Sequence, residues 1–167
     1  LKEHDALNLR CISGRPGLVR EITVPEIDRP GLALTGFFDK FAYKRVQVFG
    51  RGENAYLAKL EKDGQVDNLV KLFGYKFPCA IFTYGFEPIP AFLELATQNQ
   101  CPILQTDLSS SEFSTRFIRV LSDIFAPQIT IHGVLVEVYG IGVLIKGDSG
   151  VGKSETALDL IERDHRL

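Results

Sequence analysis

The chain has 167 residues, 45% of them hydrophobic and 24% charged, with a formal net charge of -2. That balance supplies enough apolar side chain for a core and excludes a disordered chain. The charge argues against nucleic acid as the main partner, and no run of apolar residues reaches the length of about 18 needed to cross a membrane. The length suits one ordinary domain, or a small domain plus part of another. The first residue is Leu1 and methionine is absent, so the sequence reads as an incomplete record of a longer one.

The cysteines are Cys11, Cys79 and Cys101. None stands close to another in sequence, so there is no CxxC metal or redox signature. They read as buried, reduced thiols, which suits a cytoplasmic protein. Residues 1–10 include acids and lack an apolar stretch, so they are not read as a signal peptide.

In chain order, Ile22-Thr23-Val24 predicts a short β-branched strand closed by Pro25. Arg45 to Gly50 alternates polar and apolar residues, predicting a half-buried strand that ends at a glycine. Residues 55–60 and 67–73 have helical spacing. Cys79 to Tyr84 predicts a buried strand. Pro90 opens a helix, as proline tolerates the first helical turn, and Phe92, Leu93, Leu95 and Ala96 form its apolar side. Pro102 to Thr106 predicts another strand. Strand–helix–strand order with crossovers of this length indicates an α/β domain with a partly parallel sheet.

Ser109 and Glu112 have capping-box spacing at the head of a strong helix. Phe113, Phe117, Val120, Leu121, Ile124 and Phe125 fall on its apolar face. Ala126-Pro127 stops it. A boundary is expected there, giving an N-terminal α/β domain over 1–127 and a second unit over 128–167. Gly133 to Tyr139 and Val143 to Lys146 predict a hairpin turning at Gly140-Ile141-Gly142. Residues 154–163 then have helical spacing.

The loop before that helix carries the chemistry. Gly147-Asp148-Ser149-Gly150-Val151-Gly152-Lys153-Ser154 matches G-x-x-x-x-G-K-[ST] without a gap. A random chain of this length shows the pattern with a probability on the order of 0.5%, and here a strand enters and an amphipathic helix leaves. Glycines admit positive φ and keep side chains away from the ligand. Successive N–H groups form an anion nest, to which the helix N-terminus adds its dipole. Gly147, Asp148, Ser149, Gly150, Val151, Gly152, Lys153 and Ser154 are therefore the candidate phosphate- and nucleotide-binding segment. Lys153 supplies a cation for the outer phosphates and Ser154 a hydroxyl for Mg²⁺. The side chains of Asp148 and Ser149 read as solvated filler.

Phosphoryl transfer also needs a carboxylate. Downstream of the loop the acids are Glu155, Asp159, Glu162 and Asp164, all on or at the end of the P-loop helix. No apolar strand ending in Asp follows them. On composition alone His132 reads as a structural histidine at a strand edge, and His4 and His165 as surface residues.

The run HGVLVEVYGIGVLIKGDSGVGKSETALDLIERDHRL, from His132 to Leu167, resembles the start of the catalytic domain of the bacterial HPr kinase/phosphorylase family. Asp28-Arg29-Pro30-Gly31-Leu32, Gly36-Phe37-Phe38 with Tyr43 and Arg45, and Gly50-Arg51-Gly52-Glu53 resemble that family's N-terminal domain. The resemblance covers nearly the whole chain. It implies a small α/β N-terminal domain joined to the beginning of a P-loop kinase domain similar to the phosphoenolpyruvate carboxykinase core. It also implies a homohexamer that uses ATP, or pyrophosphate in some members, with Mg²⁺ to phosphorylate a serine of HPr. The reverse reaction would use inorganic phosphate and release pyrophosphate. His132 matches a histidine near the family's phosphate site and joins Lys153 as a candidate catalytic residue. The family's catalytic aspartate pair is expected just beyond Leu167. Asp164 stands where the family commonly has glycine.

Two other readings stay open. The loop would serve another P-loop small-molecule kinase equally well. The N-terminal domain could be a non-catalytic, ligand-sensing module, although Arg29-Pro30-Gly31 and Arg51-Gly52-Glu53 read first as ordinary turns.

Overall fold

A computed structural model describes residues 7–166. They divide into two compact units that meet between Ala126 and Pro127.

The first unit is built on a five-stranded sheet in the order β1-β5-β4-β3-β2. The strands are β1 (Arg10–Ser13), β2 (Ile27–Asp28), β3 (Val46–Phe49), β4 (Ala80–Phe82) and β5 (Ile103–Gln105). From β2 to β5 every neighbouring pair is parallel, and β1 closes the β5 edge antiparallel. The helices are α1 (Gly31–Leu34), α2 (Arg51–Lys62), α3 (Asp67–Gly74), α4 (Pro90–Gln98) and α5 (Ser110–Phe125). One face of the sheet packs Phe49, Phe82 and Ile103 against Leu34 of α1, Leu57 and Leu60 of α2, Leu69 and Leu72 of α3, and Phe92 of α4. The other face packs Val46, Val48 and Ile81 against Phe113, Phe117 and Leu121 of α5. The result is a three-layer α/β arrangement with a partly parallel sheet.

Its centre is aromatic. Phe49 and Phe82 stack on adjacent strands with centroids 4.6 Å apart. Phe92 of α4 sets its edge against both, at 5.1 and 5.3 Å. Burying one such side chain contributes about 1.5–3 kcal/mol. The helix signals act as their residue types require. Pro90 occupies the first turn of α4, and the Ser109 Oγ accepts the Glu112 N–H at 3.2 Å to cap α5. On α5, Phe113, Phe117 and Leu121 are buried, whereas Ile124 and Phe125 are 61% and 39% exposed.

Several local expectations need correction. Residues 22–24 are not a strand; pairing with β3 begins at Ile27, beyond Pro25. Alternation in β3 does not mean a wet face, because all of Val46–Phe49 is buried. Parallel strands are covered on both sides. Gln47 tolerates this by donating Nε2 to the carbonyls of Ala42 and Arg45, at 3.1 and 2.9 Å. Cys79 and Cys101 are buried free thiols, but Cys11 is only half-buried. Burial pushes the Cys79 and Cys101 thiols up to about 12.

The second unit is a hairpin followed by a loop and helix: β6 (Gly133–Val138), β7 (Ile141–Lys146) and α6 (Lys153–Glu162). The turn is Tyr139-Gly140, with φ of 51° and 81°, rather than Gly140-Ile141-Gly142. Two residues of positive φ give the turn whose twist suits a hairpin, so β7 begins at Ile141. Beyond α6 the chain returns to β6. The Glu137 N–H donates to the Arg166 carbonyl at 2.6 Å, and the Arg166 N–H to the Glu137 carbonyl at 3.2 Å.

Candidate phosphate-binding site

The loop joining β7 to α6 spans residues 147–152. Gly150 and Gly152 both have φ of 87°, a left-handed conformation that suits glycine. Gly152 is the residue from which α6 departs. The bend turns the chain from strand to helix through the exposed residues 147–151. The helix is anchored from within, since the Thr156 N–H donates to the Gly152 carbonyl at 2.9 Å and its hydroxyl to the same oxygen at 3.0 Å.

Lys153 folds back over the loop. Its Nζ donates to the carbonyls of Gly147 at 2.7 Å and Asp148 at 2.5 Å. The ammonium is thereby held over the mouth of the loop by backbone oxygens, with no carboxylate partner among the described residues. A pocket of about 370 Å³, lined by Ser149, Gly150, Gly152, Lys153, Ser154 and Glu155, opens there. Ser154, in the first turn of α6, is exposed. An exposed glycine-rich loop, a cation held by backbone oxygens and a helix N-terminus around one pocket fit an anion of several charges.

The other candidates fall in different places. The β6–β7 ladder ends with Gly133 opposite Lys146. The next residues along the two strands are His132 and Gly147, so the hairpin register brings the exposed His132 to the entrance of the loop. Glu155, Asp159 and Glu162 lie on α6, with Asp164 just past its end. His165 is half-buried with its ring edge-to-face on Tyr139, centroids 4.8 Å apart. No group of three or more His, Cys, Asp or Glu that could hold a metal occurs among the described residues. His4 lies outside them.

The two N-terminal segments read as turns in fact meet. The Arg29 Nη2 donates to the Glu53 Oε2 at 2.6 Å, and the Gly50 N–H donates to the same oxygen at 3.0 Å. Burial pushes the Glu53 carboxyl up, but hydrogen bonds from Arg29, its own amide and Gly50, with the Arg29 charge, outweigh it and hold it below the usual range. Thr83, Tyr84 and Ser110 border this pair and were not anticipated. The available signal was that each parallel strand runs into polar residues: Asp28-Arg29, Gly50-Arg51, Thr83-Tyr84 and Thr106-Asp107.

A strand–loop–helix carrying the G-x-x-x-x-G-K-[ST] pattern, following a three-layer α/β unit, defines the class as a P-loop protein. The comparisons with known proteins narrow it. Residues 1–121 match the family described as HPr Serine kinase N terminus, and residues 123–167 match the HPr Serine kinase C-terminal domain. The chain belongs to the HPr serine kinase family. It is 60% identical over 167 residues to an HPr kinase/phosphorylase of Treponema pallidum (strain Nichols), covering 100% of this chain and 52% of that protein. It is 48% identical over 169 residues to one of Leptospira biflexa, again covering 100% and 52%. With that of Lachnoclostridium phytofermentans it shares 50% identity over 147 residues, 88% of this chain and 48% of that protein. The chain thus spans about half the length of the curated relatives it matches.

Proposed function

We propose that this chain carries the phosphate-binding module of an ATP-dependent serine kinase and phosphorylase acting on HPr. The observation that carries the reading is the loop itself. Its glycines, its backbone-held Lys153 and its exposed Ser154 lie within a chain of this family. In this reading the amides from Gly147 to Gly152 hold the phosphates and Lys153 neutralises charge developing on the transferred group. Ser154 supplies an oxygen to Mg²⁺, which when bound offsets the negative charge of the phosphates. His132 sits at the loop entrance as a candidate proton carrier. The same cradle would take inorganic phosphate in the reverse direction, with pyrophosphate as product. A homohexamer in the cytoplasm, with HPr and nucleotide as partners and neither nucleic acid nor membrane involved, completes the proposal. Among the described residues no helix is long and apolar enough to cross a membrane.

The test is transfer. Full-length protein incubated with ATP, Mg²⁺ and HPr should yield phosphoserine-HPr, and phosphate should reverse it with release of pyrophosphate. Phosphorylation of a metabolite instead of HPr would reassign the substrate to another P-loop kinase class. Lys153→Ala should reduce both directions by about 100-fold or more, as loss of a preorganised electrostatic group does. Its circular dichroism spectrum should be unchanged. Near-normal activity in that variant would remove Lys153 from the mechanism.

A further inference from the structure

A second cluster of charged and hydroxyl side chains lies on the N-terminal unit, at the carboxyl edge of its parallel sheet. Helices that leave neighbouring parallel strands toward opposite faces open a crevice at that edge. Here the neighbours are β4 and β5: α4, after β4, packs on one face together with α2, and α5, after β5, covers the other. The first residues of α2 and α5 come together at Gly50. A Cβ placed on Gly50 would lie 2.5 Å from the Ser110 Oγ and 2.8 Å from the Arg29 Nη2. The φ of Gly50 is -100°, open to any residue. The neighbours are movable side-chain ends, so what the approach shows is that a guanidinium tip and a hydroxyl from two different elements converge on Gly50.

The donors in this crevice are not all consumed within it. Arg29 gives Nη2 to Glu53, yet its side chain remains 53% exposed. Arg51 has no carboxylate partner among the described residues, and its guanidinium carbon lies 4.5 Å over the Tyr84 ring. Tyr84 itself has a φ of 60°, unusual for a side chain of that size. The Thr83 hydroxyl lies 3.1 Å from the Phe49 carbonyl and 2.7 Å from the Ser110 hydroxyl. That carbonyl also receives the Thr83 N–H at 3.1 Å, so it stays satisfied when the Thr83 hydroxyl turns to donate to Ser110, and in that arrangement the Ser110 proton is left for a ligand. Glu53 is committed to Arg29 and the Gly50 amide, which leaves Arg51 as the guanidinium without a carboxylate partner among the described residues. Arg29 also lines a hollow of about 110 Å³ shared with Asp28, Leu32, Phe37, Lys40 and Phe41. A hollow of that size takes one small ring or a short chain.

We propose that this carboxyl edge binds a small organic phosphate, its dianionic head on Arg29, Arg51 and Ser110 and its body in the hollow between Leu32, Phe37 and Phe41. Two guanidinium groups and a hydroxyl suit a tetrahedral dianion better than a flat monoanion. Asp28 and Lys40 at the rim favour a body that carries a hydroxyl or amino group. The site lies wholly in the N-terminal unit and is independent of the loop at 147–154.

The test uses the full chain carrying Lys153→Ala, so that the loop's cation is gone, with phenyl phosphate, benzoate and inorganic phosphate as probes followed by ¹H–¹⁵N spectra. Phenyl phosphate should shift the amides of Gly50, Arg51, Tyr84 and Ser110 saturably. Arg51→Ala should weaken that titration about tenfold, the loss of one charge-assisted hydrogen bond, and Arg51→Lys should restore part of it. Arg51 lies outside the Arg29–Glu53 clamp, so an unchanged spectrum of the unliganded variant verifies its fold. Phe37→Ala should weaken phenyl phosphate but not inorganic phosphate. The proposal is overturned if those amides do not shift, if shifts are confined to residues 147–154, or if Arg51→Ala titrates like its parent. Benzoate binding more tightly than phenyl phosphate would overturn the choice of phosphate.

Discussion

The two units of this chain are held in shape by different means. In the first, β3 and β4 are buried along their whole length, and a stacked aromatic centre locks the sheet to its helices. In the second, only Val136 and Ala157 are buried among the described residues, while Leu135, Tyr139 and Ile141 are 61%, 90% and 68% exposed. A two-stranded hairpin with so little cover is marginal by itself in water, and these exposures are those of a chain spanning about half the length of its curated relatives. What shapes the second unit is local: the Tyr139-Gly140 turn, the left-handed Gly150 and Gly152, and backbone hydrogen bonds at both ends of α6. The conformation of the phosphate loop is thus written into residue types at particular positions, whereas the N-terminal architecture is written into which side chains meet across the sheet.

Matched truncations break or sharpen this contrast. Phe92→Ala removes a ring that touches Phe49, Phe73 and Phe82, and should lower the stability of the first unit by about 3–5 kcal/mol in urea unfolding. In this 167-residue chain, Leu135→Ala on the exposed face of the hairpin should cost less than about 1 kcal/mol. Equal costs would mean that the second unit has a core after all. An effect between these two is expected at the strand-end clamp. Glu53→Gln leaves Arg29 without its counter-charge and should cost about 1–3 kcal/mol at neutral pH. Because the Glu53 carboxyl is held below its ordinary value of 4.5, the stabilisation is complete above that value and is lost as the pH falls through the lowered one. The gap between wild type and variant should therefore close on acidification, and a gap independent of pH would show that the carboxylate charge does not matter.

The same contrast explains what could be read in advance. The P-loop was legible residue by residue because its determinants are adjacent in sequence. Pro90, Ser109 and Ala126-Pro127 marked helix ends for the same reason. Burial in β3 was not legible, since Gln47 looks like a solvent-facing residue until Ala42 and Arg45 turn their carbonyls toward it. The strand at Ile27 was displaced to residues 22–24 because β-branching is a weaker signal than the register imposed by β3. Most distant from the sequence was the grouping of Arg29, Gly50, Thr83 and Ser110. These residues come from four separated segments, and only the parallel order of the sheet and the placement of α5 on the opposite face bring them together.

The smallest expected effect is at the end of α6, where local encoding can be tested by one backbone preference. The Asp164 N–H donates to the Ile161 carbonyl at 3.0 Å and the His165 N–H to the Leu160 carbonyl at 3.1 Å. That pair of bonds closes a helix through a left-handed residue, and Asp164 has a φ of 69°. Glycine adopts that conformation without a Cβ penalty, and removing a carboxylate from a helix C-terminus also relieves repulsion from the dipole. Against this stands the greater freedom of glycine in the unfolded chain. Asp164→Gly should therefore stabilise the helix end by at most about 1 kcal/mol, raising hydrogen-exchange protection of the Asp164 and His165 amides up to roughly fivefold. Asp164→Ala should lower it. Neither variant should move the urea midpoint of the first unit. A glycine variant less protected than the parent would mean that contacts made by the Asp164 side chain, and not its backbone angle, hold the end of α6.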